Sequence, residues 1–347
     1  MVGMKAAPLA FFLCTTMSPA ANYTAERIVV EGIPVIRLAD AARATEVMIA
    51  PSMGNNAYRM TVKGTDVLWS PYATLSEWKA KPVQQGNPFL APWANRIDGD
   101  GYFANGKQYF LNAGLGNFRK DGNGLPIHGL LVYAADWEVI SLRATGEEAA
   151  VSSRLEFWHR PEWMAQFPFA HAIVMSYRLR DGVLEVETLI ENLSREPMPV
   201  SVGYHTYYQL PGSPRDNWKV HLPAREHVVL SKVLVPTGEK KPVELPDPVP
   251  LAGSQLDDVF TGLVRDGRGR AVFWVEGDGR RITVEFGPKY PVAVVYAPPG
   301  RNFICFEPMT GVTNAFNLAH RGVFPDLQTI PSGAEWRESF WIAPGGR

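Results

Sequence analysis

The sequence predicts an all-β protein, a large sandwich of two antiparallel sheets, and three observations carry that reading. From Arg27 onward apolar and polar residues alternate with a period of two, turn residues punctuate the runs at short intervals, and helix candidates are few and short. With 46% of its 347 residues apolar, the chain can bury a sizeable core between such sheets.

The elements follow in chain order. Lys63-Gly64-Thr65-Asp66 interrupts the alternation between Met60 and Leu68 and predicts a first hairpin. Residues 75–79 form a short helix candidate. Asn105-Gly106 joins Tyr102-Phe103 to Tyr109-Phe110 in a second hairpin. In residues 183–190, Leu184, Val186, Thr188 and Ile190 point one way and Glu185 and Glu187 the other, and Asp181-Gly182 turns this strand back onto residues 173–177. Residues 236–250 are rich in Pro, Lys and Glu and read as a surface loop, because strand-like segments of one character flank them. Gly277-Asp278-Gly279 closes a further hairpin between residues 273–275 and 282–284. No repeat of 20 to 50 residues stands out, against a propeller or solenoid. Residues 22–347 are expected to form a single β-sandwich domain.

Ahead of it, Lys5, an apolar run over residues 6–14 and the small residues Ser18 and Ala20 make residues 1–21 either a secretory signal peptide or a disordered tail. Export would place the protein in the periplasm or outside the cell, and its absence in the cytoplasm. Cleavage would remove Cys14 and leave Cys305 as the only thiol, so that no internal disulfide is possible. No later stretch approaches the ~18 consecutive apolar residues of a membrane span. A net charge of -1, with Lys and Arg scattered, argues against nucleic-acid or anionic-membrane partners and for a small neutral one. A monomer or weak homodimer is expected.

The phosphate loop, the dinucleotide fingerprint, H-E-x-x-H and G-x-S-x-G are all missing. The Gly-rich residues 114–124 have neither the spacing nor the following helix of a phosphate loop, and read as a mobile loop leading into His128. Asn22-Tyr23-Thr24 and Asn192-Leu193-Ser194 fit the glycosylation triplet, a pattern that arises often by chance. What the chain does carry is an ordered trio: His128 in Leu125-Pro126-Ile127-His128-Gly129, His205 in Gly203-Tyr204-His205-Thr206-Tyr207-Tyr208, and Glu307 in Cys305-Phe306-Glu307-Pro308. Imidazole titrates near neutrality and a carboxylate accepts a proton, so the set can move protons in both directions on one substrate without a metal or cofactor. His159, His171, His221, His227 and His320 lack such a context and read as structural or surface residues.

The order of several motifs resembles the aldose 1-epimerases, or mutarotases, of the galactose-mutarotase-like superfamily. Asn95-Arg96-Ile97, Ile127-His128-Gly129, Gln166-Phe167-Pro168-Phe169, Tyr204-His205-Thr206-Tyr207-Tyr208, Leu256-Asp257-Asp258-Val259-Phe260, Phe306-Glu307 and residues 330–336 are similar to successive segments of that family, across residues 28–342. Tyr204 in place of Asn, the stretch 308–317, and Ser332 within the closing motif depart from the usual pattern and mark a divergent branch. The resemblance implies the sandwich fold, a free hexose as substrate and no cofactor. It implies Glu307 as base and His205 as acid in opening the sugar ring. Arg96, His128, Asp257 (rather than Asp258) and Asn95 are then substrate-binding residues, with Trp93, Tyr102 or other aromatics stacking on the sugar. Two alternatives share the motifs. A hexose-6-phosphate 1-epimerase would need a cationic clamp, for which Arg59, Arg96 and Arg119 are candidates, and a non-catalytic carbohydrate-binding protein could use the same fold.

Overall fold

In the computed structural model of the chain, residues 22–346 are described. Two large antiparallel sheets dominate. The nine-stranded sheet runs in the order Glu138–Ala144, Ala149–Glu156, His171–Arg180, Val183–Asn192, Glu335–Gly346, Arg280–Phe286, Ala271–Gly277, Lys219–His221 and Val249–Pro250. The eight-stranded sheet runs Pro236–Pro242, Ala224–Leu230, Leu256–Leu263, Val292–Ala297, Ile304–Met309, Gly203–Tyr204 and Phe89–Leu90, with Thr206–Tyr208 also paired to Ile304–Met309.

Alternation explains how the sheets meet. Leu184, Val186, Thr188 and Ile190 are all buried, while Glu185 and Glu187 are half-buried on the other face, where they pair with Arg178. From the eight-stranded sheet, Tyr204, Tyr208, Phe260, Val295 and Phe306 enter the same core. Tyr204 packs against Phe340 in a tilted arrangement, 4.8 Å between ring centres, and shares a hydrogen bond with the Thr188 hydroxyl, which satisfies both buried polar groups. The turns at Lys63-Gly64, Asn105-Gly106, Asp181-Gly182 and Asp278-Gly279 join paired strands as expected.

A five-stranded sheet, Tyr23–Val30 through Thr65–Asp66, flanks the sandwich and contributes Leu38, Val47 and Ile49 to the core. Helix Leu75–Ala80 packs Leu75 and Trp78 on Ile33 and Val35; Thr74 and Glu77 form a capping box at its start. Helix Ala315–His320 has no counterpart in the period-two reading, because its buried residues Ala315, Phe316, Asn317 and Leu318 are consecutive and show no helical stripe.

The loop expected over residues 236–250 is corrected: Pro236–Pro242 is a strand paired with Ala224–Leu230, and Val249–Pro250 pairs with Lys219–His221. Pro236–Pro242 lies at the edge of its sheet and is exposed along nearly all its length, a setting that tolerates Pro and Lys in a strand. The leader or tail read at residues 1–21 lies outside the described residues. Among the described residues, no helix is long and apolar enough to cross a membrane.

Candidate active site

Strand Ile304–Met309 has two occupied faces, since all six of its residues are buried. Phe306 points into the sandwich core, so Cys305, Glu307 and Met309 point to the opposite face. Tyr207 pairs with Cys305 and Thr206 with Phe306, which places Tyr207, and His205 before it, on the face of Glu307. His205 Nε2 consequently stands 3.3 Å from Glu307 Oε1, both side chains almost fully buried. Asp257 joins the same face two strands away, because Asp257 pairs with Tyr296 and Tyr296 with Cys305.

A second wall comes from the segments around Asn95 and His128. Both residues adopt left-handed backbone, φ 57° and 63°, a conformation that Asn and His tolerate better than bulkier or branched residues. The His128 N–H donates to the Asn95 carbonyl at 2.9 Å, and Arg96 bridges to Ile127. Gly129 follows at φ 66°, where a Cβ would fall 2.1 Å from the Ala91 carbonyl oxygen. Only glycine lets the His128 loop lie this close to the end of strand Phe89–Leu90. The ring centres of His128 and His205 are then 5.5 Å apart, edge to face.

Arg96 is held on three sides. Its Nε donates to Asp121 Oδ2 at 2.6 Å, its Nη1 to Asn95 Oδ1 at 2.9 Å, and its carbonyl accepts the Asn314 N–H at 2.9 Å. Asn314, itself at φ 62°, accepts from the Asp98 N–H at 3.1 Å and from Asn317 Nδ2 at 2.8 Å through Oδ1. Asp121, Asn314 and Asn317 were absent from the sequence-derived set. Residues 308–317 stood out only as a departure from the family pattern, and Asp121 only as part of a glycine-rich loop.

Burial and charge set the protonation of the group. Burial pushes the Glu307 carboxyl well above the usual carboxylate range; the Asp257 charge adds to this and Arg96 opposes it. Burial lowers His205 to about 3, with Arg119 and Arg96 acting the same way, and drives His128 well below its ordinary value. Asp257 is raised by burial and by Asp258, against Arg96. These shifts all act against charge: burial disfavours the carboxylate of Glu307 and the imidazolium forms of His205 and His128. The Nδ1 atoms of both His128 and His205 are buried without a hydrogen-bond partner.

Aromatic rings frame one side of His205. Tyr207 stacks on His205 at 4.6 Å, Tyr296 meets His205 edge-on at 6.0 Å, and Trp69 and Phe303 pack against Tyr207. Trp69, Tyr296 and Asp257 are half-buried, which marks the open side. Tyr102, expected among the stacking residues, belongs instead to the sandwich core: it is fully buried and donates to the Gln166 carbonyl. Trp93 is likewise buried, its ring edge-on to Phe118.

The remaining expectations divide clearly. Asp258 faces His227 at 2.8 Å, whereas Asp257 lies close enough for its charge to act on Glu307. Arg59 is paired with Asp66 on the flanking sheet. Arg119, exposed over the Tyr133 ring, lies near enough to act on both imidazoles. Asn192 is buried with its amide donating to the Glu196 and Ile330 carbonyls, so its triplet is closed to glycosylation. His171 is a core residue stacked on Phe157.

The family model described as aldose 1-epimerase matches residues 36–343. Among curated proteins, the uncharacterized protein YihR of Escherichia coli K12 is 28% identical over 156 residues, 45% of this chain and 46% of that protein, so the match spans about half of the relative. A galactose mutarotase-like protein from Clostridium acetobutylicum superposes with a TM-score of 0.82 at 24% identity, covering 94% of this chain and 98% of the other. A GalM/aldose epimerase homologue from C. elegans gives 0.68 at 20% identity, covering 93% and 99%. At these identities the structural likenesses establish the fold.

Proposed function

This chain belongs to the aldose 1-epimerase family, and on that premise we propose that it interconverts the α and β anomers of a free aldohexose by acid–base opening and closing of the ring. The observation that carries the reading is the 3.3 Å contact between His205 Nε2 and Glu307 Oε1, with His128 against His205 and the charges of Arg96 and Asp257 acting on Glu307.

The pair holds one mobile proton. Arg96 favours the Glu307 carboxylate, and sugar hydroxyls donating to Asp257 would relieve the negative charge that opposes it. With the proton moved to His205, Glu307 takes the proton of the anomeric hydroxyl. The freed electron pair makes the C1 carbonyl, the bond from C1 to the ring oxygen breaks, and the ring oxygen takes the proton of His205. The aldehyde turns about C1–C2, and the same groups run in reverse to close the ring on its other face. Each positioned proton transfer contributes on the order of 10²- to 10⁴-fold. His128 and Arg96 hydrogen-bond sugar hydroxyls or the ring oxygen in this scheme, and Tyr207 or Tyr296 offers a ring to the sugar's apolar face.

Arg119 favours one alternative, a phosphorylated hexose, because it is an exposed cation near the imidazoles. Polarimetry or NMR of freshly dissolved α-glucose, α-galactose and α-glucose 6-phosphate decides between them. We expect free hexose to equilibrate faster with protein than in buffer, and Glu307→Gln to abolish the gain. Sugar binding without any rate gain on these or other aldoses would instead make the protein a carbohydrate-binding module and overturn the reading. Export rests on residues 1–21, and N-terminal sequencing of the protein recovered from cells tests it.

A further inference from the structure

Cys305 has no part in ring opening, yet its thiol faces the acid–base pair. The Cys305 Sγ, a ring nitrogen of His205 and a carboxylate oxygen of Glu307 all lie within 4.8 Å of one another, and all three residues are buried. We propose that these three side chains form a site for a thiophilic divalent cation of the zinc type, which occupies the acid–base pair and reversibly blocks it; the blocking rests on the function proposed above.

The donor set selects the ion. Zinc bonds of about 2.0–2.3 Å to nitrogen, oxygen and sulfur put tetrahedral ligand atoms roughly 3.3–3.8 Å apart, so side-chain rotation suffices to close three atoms already this near. One thiolate, one imidazole and one carboxylate suit zinc or cobalt and disfavour magnesium and calcium, which require oxygen ligands. Strand register fixes the arrangement: Cys305 and Glu307 are alternate residues on one face, and Tyr207, paired with Cys305, stacks on the His205 ring.

The site differs from a resident structural centre in one respect. Zinc-ligating imidazoles normally donate their second N–H to a carboxylate or carbonyl that stiffens the ring, whereas His205 Nδ1 is buried and without a partner. Binding should accordingly be reversible by chelators. Burial favours the neutral forms of all three groups, Cys305 included, and a dication would reverse this by displacing protons from the thiol and carboxyl. His221 with Asp247 and His227 with Asp258 are more exposed contacts, and among the described residues no cysteine other than Cys305 exists, so a thiolate signal separates the sites.

Cobalt(II) added to the chelator-treated full chain reads the site through its thiolate charge-transfer absorption in the near ultraviolet. We expect a saturable band that persists in Cys14→Ser, disappears in Cys305→Ser and is displaced by zinc. Zinc should slow mutarotation, magnesium should not, and EDTA should restore the rate; the zinc concentration for half-inhibition should rise at least about tenfold in Cys305→Ser, relative to that variant's own metal-free rate. Should Cys305→Ser fail to fold, His205→Gln must lower cobalt affinity by at least about tenfold instead. Absence of the band, its survival in Cys305→Ser, or a band with a zinc-insensitive rate overturns the proposal. A cobalt band in a protein that accelerates no sugar's mutarotation keeps the metal site and overturns the enzymatic reading and the blocking with it.

Discussion

His205 Nε2 and Glu307 Oε1 stand 3.3 Å apart because Thr206–Tyr208 and Ile304–Met309 pair in a register that sets Tyr207 opposite Cys305. A shift of one residue in either strand would turn one of the two groups into the sandwich core. The contact is thus a property of sheet register, fixed by the aromatic residues Tyr204, Tyr208 and Phe306 that fill the other face.

Glu307→Gln should lower kcat by about 10²- to 10⁴-fold while leaving the melting temperature equal or higher. Burial and Asp257 hold the folded carboxyl's affinity for protons above that of the unfolded chain. The folded form then binds more protons than the unfolded one above the unfolded pKa, so stability declines as pH rises toward the folded value. A permanently neutral Gln removes that decline. Calorimetry across pH with paired rate measurements checks both halves, and a variant less stable than the parent at neutral pH contradicts the electrostatic account.

The pH profile of the chelator-treated enzyme should be broad and bell-shaped. The active form carries one proton on the pair. Acid adds a second only as pH approaches the lowered His205 value of about 3, and base removes the first as pH passes the raised Glu307 value. We expect kcat/KM to stay near its plateau at about pH 5, well below the ~6.5 of an ordinary histidine. An acid limb centred near that ordinary value would show that His205 is not depressed.

Asp121→Asn should loosen Arg96 without touching the acid–base pair. The Arg96 and Asp121 side chains are only 15% and 8% exposed, so the substitution takes the paired negative charge away from a largely buried cation and leaves it neutral amide acceptors such as Asn95. A stability loss of about 1–3 kcal/mol is expected, with KM raised about tenfold and kcat changed less. Burial acts upward on the Asp121 carboxyl, but Arg96 and the backbone N–H groups of Leu125 and Asn123 outweigh it and hold it low. Its contribution is therefore present above the unfolded value and lost as pH falls through the folded one, and the gap between parent and variant should narrow in acid.

Asn314→Gly and Asn314→Ala should differ in a graded way. Both lose the oxygen that accepts from Asp98 and Asn317, while only Ala adds the cost of the left-handed backbone, about 1–2 kcal/mol. Melting temperature should fall in the order parent, Gly, Ala, with KM rising in step because the Arg96 carbonyl loses a fixed anchor. Equal KM values for all three proteins would show that the strut does not position Arg96.

The class of fold and the hairpins were readable because half-buried strands alternate, as in Leu184, Val186, Thr188 and Ile190. Strand Ile304–Met309 gave no such signal, since both of its faces are buried. Pro236–Pro242 was misread because an exposed edge strand has the composition of a loop. Which aromatics meet a sugar is not legible in sequence, because such a side chain suits a core and a sugar face equally well, and the Gln166 partner that fixes Tyr102 in the core is remote in sequence.

The sequence by itself determined which chemical groups are available and roughly where the chain turns, since side-chain types and period-two alternation are local properties. Packing alone decides that Asp121 and Asn314 grip Arg96, that the Cys305 thiol stands beside His205 and Glu307, and that burial disfavours the charged forms of both those groups. Strand register, loss of water and the sum of neighbouring charges settle those matters, and none of the three exists until distant segments pack together.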